Sequence, residues 1–419
     1  MPDADKDGSD ENPVTDQHEL AAHAGQGSVS PLRGRRLYFV GIGGSGMSAY
    51  ANMARALGAE VRGWDLRDTI FIGSLDGIEV ELGGEPTPPV GWETVVSTAH
   101  LHRIGGIRRA DFLAELVAAQ PAIVVGGAHG KTTTSAMIAF VLRETGRDPA
   151  WIIGGIVPQL GGNAGVGAGW LVVEGDESDR SISSLAPLIA VITNIELDHH
   201  ATYASEAELR TFFDAWLETV PQVVRSWELP PVELDLAVPG DHNRQNAAAA
   251  LAALELAGVP RPEAEAAIVR FTGAGRRFEL VGAHAGVTVV DDYGHNPTEL
   301  EVTLRTARSL TSGRVIAVYQ PHVVERTRQL HSELGAALGL ADVAIVTDII
   351  GSRDAAREGV TGKLVVESLP PEIRAGWAPS PDDAAMLALA WSRPGDLIIT
   401  FGVGEPWKIA RAIVDGLRR

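Results

Sequence analysis

Gly126-Gly127-Ala128-His129-Gly130-Lys131-Thr132-Thr133-Thr134 follows the apolar run Ala122-Ile123-Val124-Val125 without a break. A buried strand, a glycine turn, a Lys-Thr pair and the start of a helix arrive in that order. Backbone N–H groups at such a helix start cradle phosphate oxygens, a lysine neutralises them, and a threonine hydroxyl ligates a divalent cation. The chain's lysines are Lys6, Lys131, Lys363 and Lys408, so a lysine in this loop owes little to abundance. The commonest phosphate loop would have glycine at Val125, and a tight strand-to-helix turn with an exposed lysine is the bland alternative. The stretch points to a nucleoside triphosphate gripped by Gly127, His129, Gly130, Lys131, Thr132 and Thr133.

Upstream, Leu37-Tyr38-Phe39-Val40 leads into Gly41-Ile42-Gly43-Gly44-Ser45-Gly46, a helical spacing from Met47 to Leu57, and Glu60-Val61-Arg62-Gly63-Trp64-Asp65. This is the strand, glycine loop, helix and acid-ended strand of a Rossmann-like opening. Downstream, Leu171-Val172-Val173 and Ala190-Val191-Ile192 are apolar strands that each run into charged residues, where an open α/β sheet places its ligands. An alanine-rich helix spans Ala247 to Leu256, and strands resume at 287–290, 315–318, 343–346 and 397–400 with helical stretches between them. The fold class is therefore α/β in three domains: Rossmann-like, central P-loop ATPase-like, and C-terminal Rossmann-like. The expected boundaries are a disordered acidic tail at 1–31, then 32–118, 119–273 and 274–419.

Composition agrees with several cores, since 419 residues with 45% hydrophobic content exceed one typical domain. A formal net charge of −19 disfavours nucleic acid or an anionic membrane as partner, because the overall field repels both. The absence of cysteine removes disulfides, thiolate catalysis and Cys-ligated zinc, and fits a reducing interior such as the cytoplasm. No apolar run of 18 or more residues appears, and residues 1–31 lack the apolar centre of a secretory signal.

Other stretches carry chemistry with alternatives attached. Gly41 to Gly46 fits G-x-G-x-x-G with Asp65 where a ribose partner belongs, which serves a redox dinucleotide or any diphosphate at a helix start. A packing turn is the bland reading. Glu174-Gly175-Asp176-Glu177-Ser178-Asp179 offers hard oxygen ligands for Mg²⁺ beyond a buried strand, or merely a solvated loop. Thr193-Asn194-Ile195-Glu196-Leu197-Asp198-His199-His200 repeats the arrangement, and one of His199 and His200 suffices for a second metal or a phosphate. Asn243 either caps the alanine-rich helix or, with Asn246, reads a base edge. Arg276-Arg277 supplies guanidinium forks for phosphate or a solvated basic turn, and Asp291-Asp292-Tyr293-Gly294-His295 gathers acid, hydroxyl and imidazole after a strand.

Taken together, these stretches resemble the ATP-dependent Mur ligases of peptidoglycan synthesis, with Tyr319-Gln320-Pro321-His322 and Trp407-Lys408-Ile409-Ala410 completing a match from Leu37 to Arg411. The resemblance is greatest to the members that join L-alanine to UDP-N-acetylmuramate, and it implies a cytoplasmic monomer or homodimer using ATP and Mg²⁺. It implies that the first domain holds the sugar nucleotide through Gly41, Gly43, Gly44, Ser45, Gly46, Met47, Ser48 and Asp65, with Arg326 contributing from the third. Lys131 would meet the β- and γ-phosphates, Thr132 and Glu174 one Mg²⁺, and His199 a second. Asn243 and Asn246 would face adenine and Asp292 the ribose, while Arg277 and His295 would approach the phosphates or an acyl phosphate intermediate.

The chain also departs from the family. His200-Ala201-Thr202-Tyr203 lacks an acid that relatives carry, and the segment from Phe212 to Pro239 is short and holds no lysine to be carbamylated. Gly294-His295-Asn296 stands where a second histidine is common, and Val323 stands where many relatives have arginine. A sister ligase that reattaches a recycled peptide, and a catalytically impaired nucleotide-binding relative, are the competing readings. A dehydrogenase leaves Gly130-Lys131-Thr132 unexplained.

Overall fold

The computed structural model describes residues 32–75, 77–197, 202–349 and 359–419. The expected tail at 1–31, and with it Asp198, His199 and His200, lies outside them.

The chain begins with β1 (Arg36–Val40), α1 (Ser45–Ala56), β2 (Glu60–Asp65), β3 (Glu79–Leu82), β4 (Glu93–Val96), β5 (Ile107–Arg108) and α2 (Arg109–Ala118). These strands form an all-parallel sheet in the order β3-β2-β1-β4-β5. Strand order reverses about β1, so the loop at 41–46 opens at the switch point where such sheets bind ligands. Buried Leu37 and Phe39 pack with Phe112 of α2 on one face, and Tyr38 and Val40 with Trp64 on the other. That two-sided burial explains the continuous apolar run in β1.

Next come β6 (Ala122–Gly126), α3 (Lys131–Glu144), β7 (Ala150–Val157), β8 (Gly162–Gly165), β9 (Leu171–Glu174), β10 (Ile189–Ile192), α4 (Glu206–Leu217), β11 (Gln222–Arg225), α5 (Asp241–Leu256) and α6 (Arg261–Ile268). The sheet order is β11-β10-β6-β9-β7-β8, with only β8 antiparallel to its neighbour. The phosphate-loop strand β6 is thus flanked by β9, which ends at Glu174, and β10, which runs on to Asn194 and Glu196. Helix α5 starts at Asp241, earlier than the alanine run predicts. Gly240, at φ 99°, caps the helix, and His242 and Asn243 of its first turn line a cavity. Asn243 therefore sits within the helix and is not its cap.

The rest contains β12 (Glu279–His284), β13 (Val287–Asp292), α7 (Pro297–Leu310), β14 (Val315–Tyr319), α8 (Val324–Leu338), β15 (Val343–Val346), α9 (Lys363–Val366), β16 (Arg374–Trp377), α10 (Pro381–Trp391), β17 (Leu397–Phe401) and α11 (Pro406–Leu417). Their sheet runs β12-β13-β17-β14-β15-β16, parallel except for β12. No helix among the described residues is long and apolar enough to cross a membrane.

Arg276 ties this third sheet together from its edge. Its Nε donates to Asp291 Oδ2 at 2.7 Å, and its two Nη atoms donate to Val403 O at 3.1 Å and Gly402 O at 2.6 Å. Thr400 Oγ1 donates to the other Asp291 oxygen at 2.6 Å. Of the two arginines read as phosphate forks, Arg276 is thus spent on its own sheet. Because truncation strands a buried carboxylate, Arg276→Ala should lower stability by about 3 kcal/mol. Urea denaturation followed by tryptophan fluorescence would measure it, with Arg277→Ala lowering the midpoint less, since Arg277 stands farther from its carboxylate, 3.8 Å from Glu299.

Candidate active site

The three sheets meet around a cavity of about 830 Å³ whose wall includes Ser45, Gly46, His129 to Thr132, Glu174, Arg277, His295 and Arg326. In the phosphate loop, Gly127 and Gly130 take φ of 126° and 79°. A side chain at Gly127 would strike Thr193 and Asn194, and one at Gly130 would strike the Asn246 amide. Only glycine adopts this backbone in so little space. Asn194 Oδ1 accepts from Ala128 N at 3.0 Å and His129 N at 3.1 Å, and its Nδ2 donates to His129 O at 2.8 Å. The loop is therefore braced from β10's side, while the amides at the start of α3 are left to the cavity.

Lys131 Nζ donates to Gly127 O at 2.5 Å, Ala128 O at 3.2 Å and both Glu177 oxygens at 3.1 and 3.0 Å. Burial opposes its charge, but Glu177, Asp176 and Glu174 outweigh that and hold the ammonium above the ordinary lysine range. Glu174 Oε1 accepts from Thr132 Oγ1 at 3.0 Å and Oε2 from Gly154 N at 2.6 Å. The acidic run does not act as one metal cage. Asp176 and Asp179 pair with Arg109 at 2.5 and 2.8 Å, and Glu177 with Lys131, which leaves Glu174 beside the threonine. Despite its burial, Asp176 is held well below the usual carboxylate range by Arg109 and Lys131.

The third sheet reaches in through Arg277, whose Nη2 donates to Thr132 Oγ1 at 3.3 Å. Beside it, Glu196 Oε1 accepts from Thr298 Oγ1 at 2.5 Å, and Glu196 Oε2 lies 2.6 Å from His129 Nε2. Burial pulls the His129 pKa down, yet Glu196 and Glu299 prevail and raise it above the usual histidine value. His129 Nδ1 is buried without a hydrogen-bond partner. His295 stands 3.2 Å from Glu299 through Nδ1, and its backbone N–H donates to the same carboxylate at 2.9 Å.

Behind the phosphate loop lies a second cavity of about 120 Å³, lined by Thr133, Asn243, Asn246 and Asp292 among others. Asn246 Nδ2 donates to Asn243 Oδ1 at 3.2 Å, and Asn243 Nδ2 to Pro239 O at 2.7 Å. Asp292 accepts from Gly294 N and Phe278 N, each at 2.8 Å. Burial pushes its carboxyl up to about 6, against the pull of Arg277 and those two amides.

Around the first glycine loop the structure is selective. Ser45 and Gly46 face the large cavity. Asp65 Oδ2 accepts from Gly43 N at 2.8 Å, and Thr69 Oγ1 donates to Gly43 O at 2.7 Å, so Asp65 braces the loop itself. Met47 and Ser48 are buried on the packed side of α1 and do not line the cavity. Sequence reasoning missed Arg109, Glu299 and Thr298, because a single charged or hydroxyl residue at a helix start carries no distinguishing signal.

Two family models match. That of the Mur ligase family catalytic domain covers residues 36–121, and that of the Mur ligase glutamate ligase domain covers residues 276–404. The UDP-N-acetylmuramate–L-alanine ligase of Desulforamulus reducens is 34% identical, over 91% of this chain and 98% of the relative. The enzyme of that name from Renibacterium salmoninarum is 36% identical, over 91% and 96%. The crystal structure of the UDP-N-acetylmuramate–alanine ligase from Thermotoga maritima superposes with a TM-score of 0.78 at 25% identity, over 91% of this chain and 99% of that one. With matches at both ends of the chain and relatives aligned along nearly all of it, the chain belongs to the Mur ligase family.

Proposed function

We propose that the chain joins L-alanine to UDP-N-acetylmuramate in peptidoglycan precursor synthesis, consuming ATP in the cytoplasm. The observation that carries this reading is the convergence of a phosphate-loop lysine, an acid-ended strand, an arginine from a third sheet and a second glycine loop on one cavity. Two loops of that kind suit two phosphorylated substrates, and the relatives' names support the pair.

The donor set beside Lys131 fits Mg²⁺. Thr132 Oγ1 and the Glu174 carboxylate are hard oxygens 3.0 Å apart, and no group of three His, Cys, Asp or Glu among the described residues gathers for a metal. Mg²⁺ takes few protein ligands beside phosphate oxygens and water. When bound it supplies charge neutralisation and a template for the phosphates. His199, the expected second ligand, lies outside the described residues.

The chain's own residues then divide the work. Lys131 leaves Glu177 for the β- and γ-phosphates, and the start of α3 adds backbone N–H groups. His129 Nδ1, buried and unpartnered, offers a further donor at the loop. Asn243 and Asn246 read the base, and Asp292 accepts from the ribose. Arg277, already on Thr132, neutralises charge as the lactyl carboxylate of the sugar nucleotide attacks the γ-phosphate. That attack breaks the β–γ phosphoanhydride bond and releases ADP, leaving an acyl phosphate whose leaving group is phosphate; the amine of L-alanine then adds to its carbonyl, loses a proton and expels that phosphate. Arg326 and His295 face the same cavity from the third sheet, where the amino acid is received. Water kept out by the three sheets is water that cannot hydrolyse the acyl phosphate.

Phosphate release should require ATP, Mg²⁺, UDP-N-acetylmuramate and L-alanine together. Release with a peptide but not with L-alanine would make the chain a sister ligase, and none under any combination would sink the ligase reading. Lys131→Ala should lower kcat roughly a hundred- to a thousand-fold while calorimetry finds sugar-nucleotide affinity nearly unchanged.

Asp292 gives a pH dependence of known sign. Its carboxylate is the acceptor, and with a pKa of about 6 it gains a proton as pH falls from 7 to 5. The KM for ATP should rise across that window. Asp292→Asn should show a high KM at every pH and lose that inflection, which separates it from titration of ATP itself.

A further inference from the structure

We infer that Asn163, a residue of the central domain, is a positioning residue for the sugar nucleotide and fixes the first glycine loop relative to the ATP loop. The inference rests on the proposed placing of the sugar nucleotide at residues 41–46.

Asn163 lies on β8, the short edge strand of the central sheet, and is 1% exposed. Its amide leaves its own sheet and enters the first domain. Nδ2 donates to Ser48 Oγ at 2.9 Å and Ser45 O at 3.3 Å, and Oδ1 accepts from Asn52 Nδ2 at 3.4 Å. Ser48 Oγ in turn donates to Ser45 O at 2.9 Å. All three partners stand on α1, whose first turn presents Ser45 and Gly46 to the large cavity. Asn52 also donates to Ser74 O at 3.2 Å, which closes the segment carrying Ile70 and Phe71 along the same cavity.

The other end of this link reaches the ATP side. Strand β8 pairs with β7, Ala164 opposite Ile152. Two residues on, Gly154 N donates to the Glu174 carboxylate that also holds Thr132. One hairpin therefore grips the sugar-nucleotide helix through Asn163 and the metal-side carboxylate through Gly154. Asp65 and Thr69 shape the glycine loop from within the first domain, but they cannot set its distance from Lys131. Asn163 can, because it crosses the boundary. A seam serving adhesion alone would be apolar; a buried, fully bonded amide on two serines adds a fixed register. In-line phosphoryl transfer is sensitive to such a register, since a misplacement of about 1 Å is felt in the rate.

The test is a double-mutant cycle on the full chain with Asn163→Ala, Ser48→Ala and the pair. Removing a buried amide's bonds should raise the KM for UDP-N-acetylmuramate about tenfold, with the KM for ATP within about twofold of wild type. If Asn163 acts through α1, the double variant should stay near tenfold rather than approach a hundredfold. A general loss of structure would raise both KM values together, and that result, or no change in either, would overturn the inference. Amide hydrogen exchange of the ligand-free protein gives a readout independent of the substrate. Residues 45–52 should exchange about tenfold faster in Asn163→Ala, and unchanged protection would overturn the clamp. If wild type ignores UDP-N-acetylmuramate altogether, the functional reading fails while the exchange measurement still decides the clamp.

Discussion

A half-buried ammonium among carbonyls and acids needs an anionic partner, and Lys131 is such an ammonium. In the free protein it is met by Glu177 and the carbonyls of its own loop; in the proposed reaction it is met by phosphate. The ammonium therefore has an anionic partner in either state. Much of the surrounding structure follows from keeping both states available. Gly127 and Gly130 make room, Asn194 holds the turn, and Arg109 occupies Asp176 and Asp179 so that these acids do not draw the lysine away.

Geometry at the domain boundaries does the rest. The first domain delivers a helix start, the central domain a second one, and the third domain an arginine that touches the Thr132 hydroxyl. None of these features is unusual alone. Their meeting in one cavity is what supports two-substrate chemistry, and it depends on contacts such as Thr298 on Glu196 and Asn163 on Ser48 that join one sheet's elements to another's.

Local pattern made the sheets legible. Apolar runs ending in glycine or acid, as at Val40-Gly41 and Val173-Glu174, announce parallel strands and their ligand ends, and each lies where its sheet needs it. Lys131 and Thr132 were legible as part of the loop that follows β6, and Glu174 as the acid that ends a buried strand. The partners of these residues were not. Arg109 lies far along the chain from Asp176, and Thr298 from Glu196, so no spacing rule connects them. Asn243 shows the same limit on a smaller scale: a capping residue type stands one turn inside the helix because Gly240 takes the cap. Arg276 and Arg277 are adjacent and chemically identical, and only the third sheet's packing assigns one to Asp291 and the other to the cavity.

The small cavity behind the phosphate loop has a kinetic meaning. At about 120 Å³ it falls below the size range of sites that enclose a drug-sized ligand, yet a nucleoside is to be read there by Asn243, Asn246 and Asp292. Those residues sit on two different domains, with Arg277 and Thr298 drawn close across the gap. On the proposed placing of the nucleoside, its entry requires the third sheet's elements to move away from the loop. The rate of ATP capture becomes a clock for that movement, levelling off at high ATP concentration instead of rising with each collision.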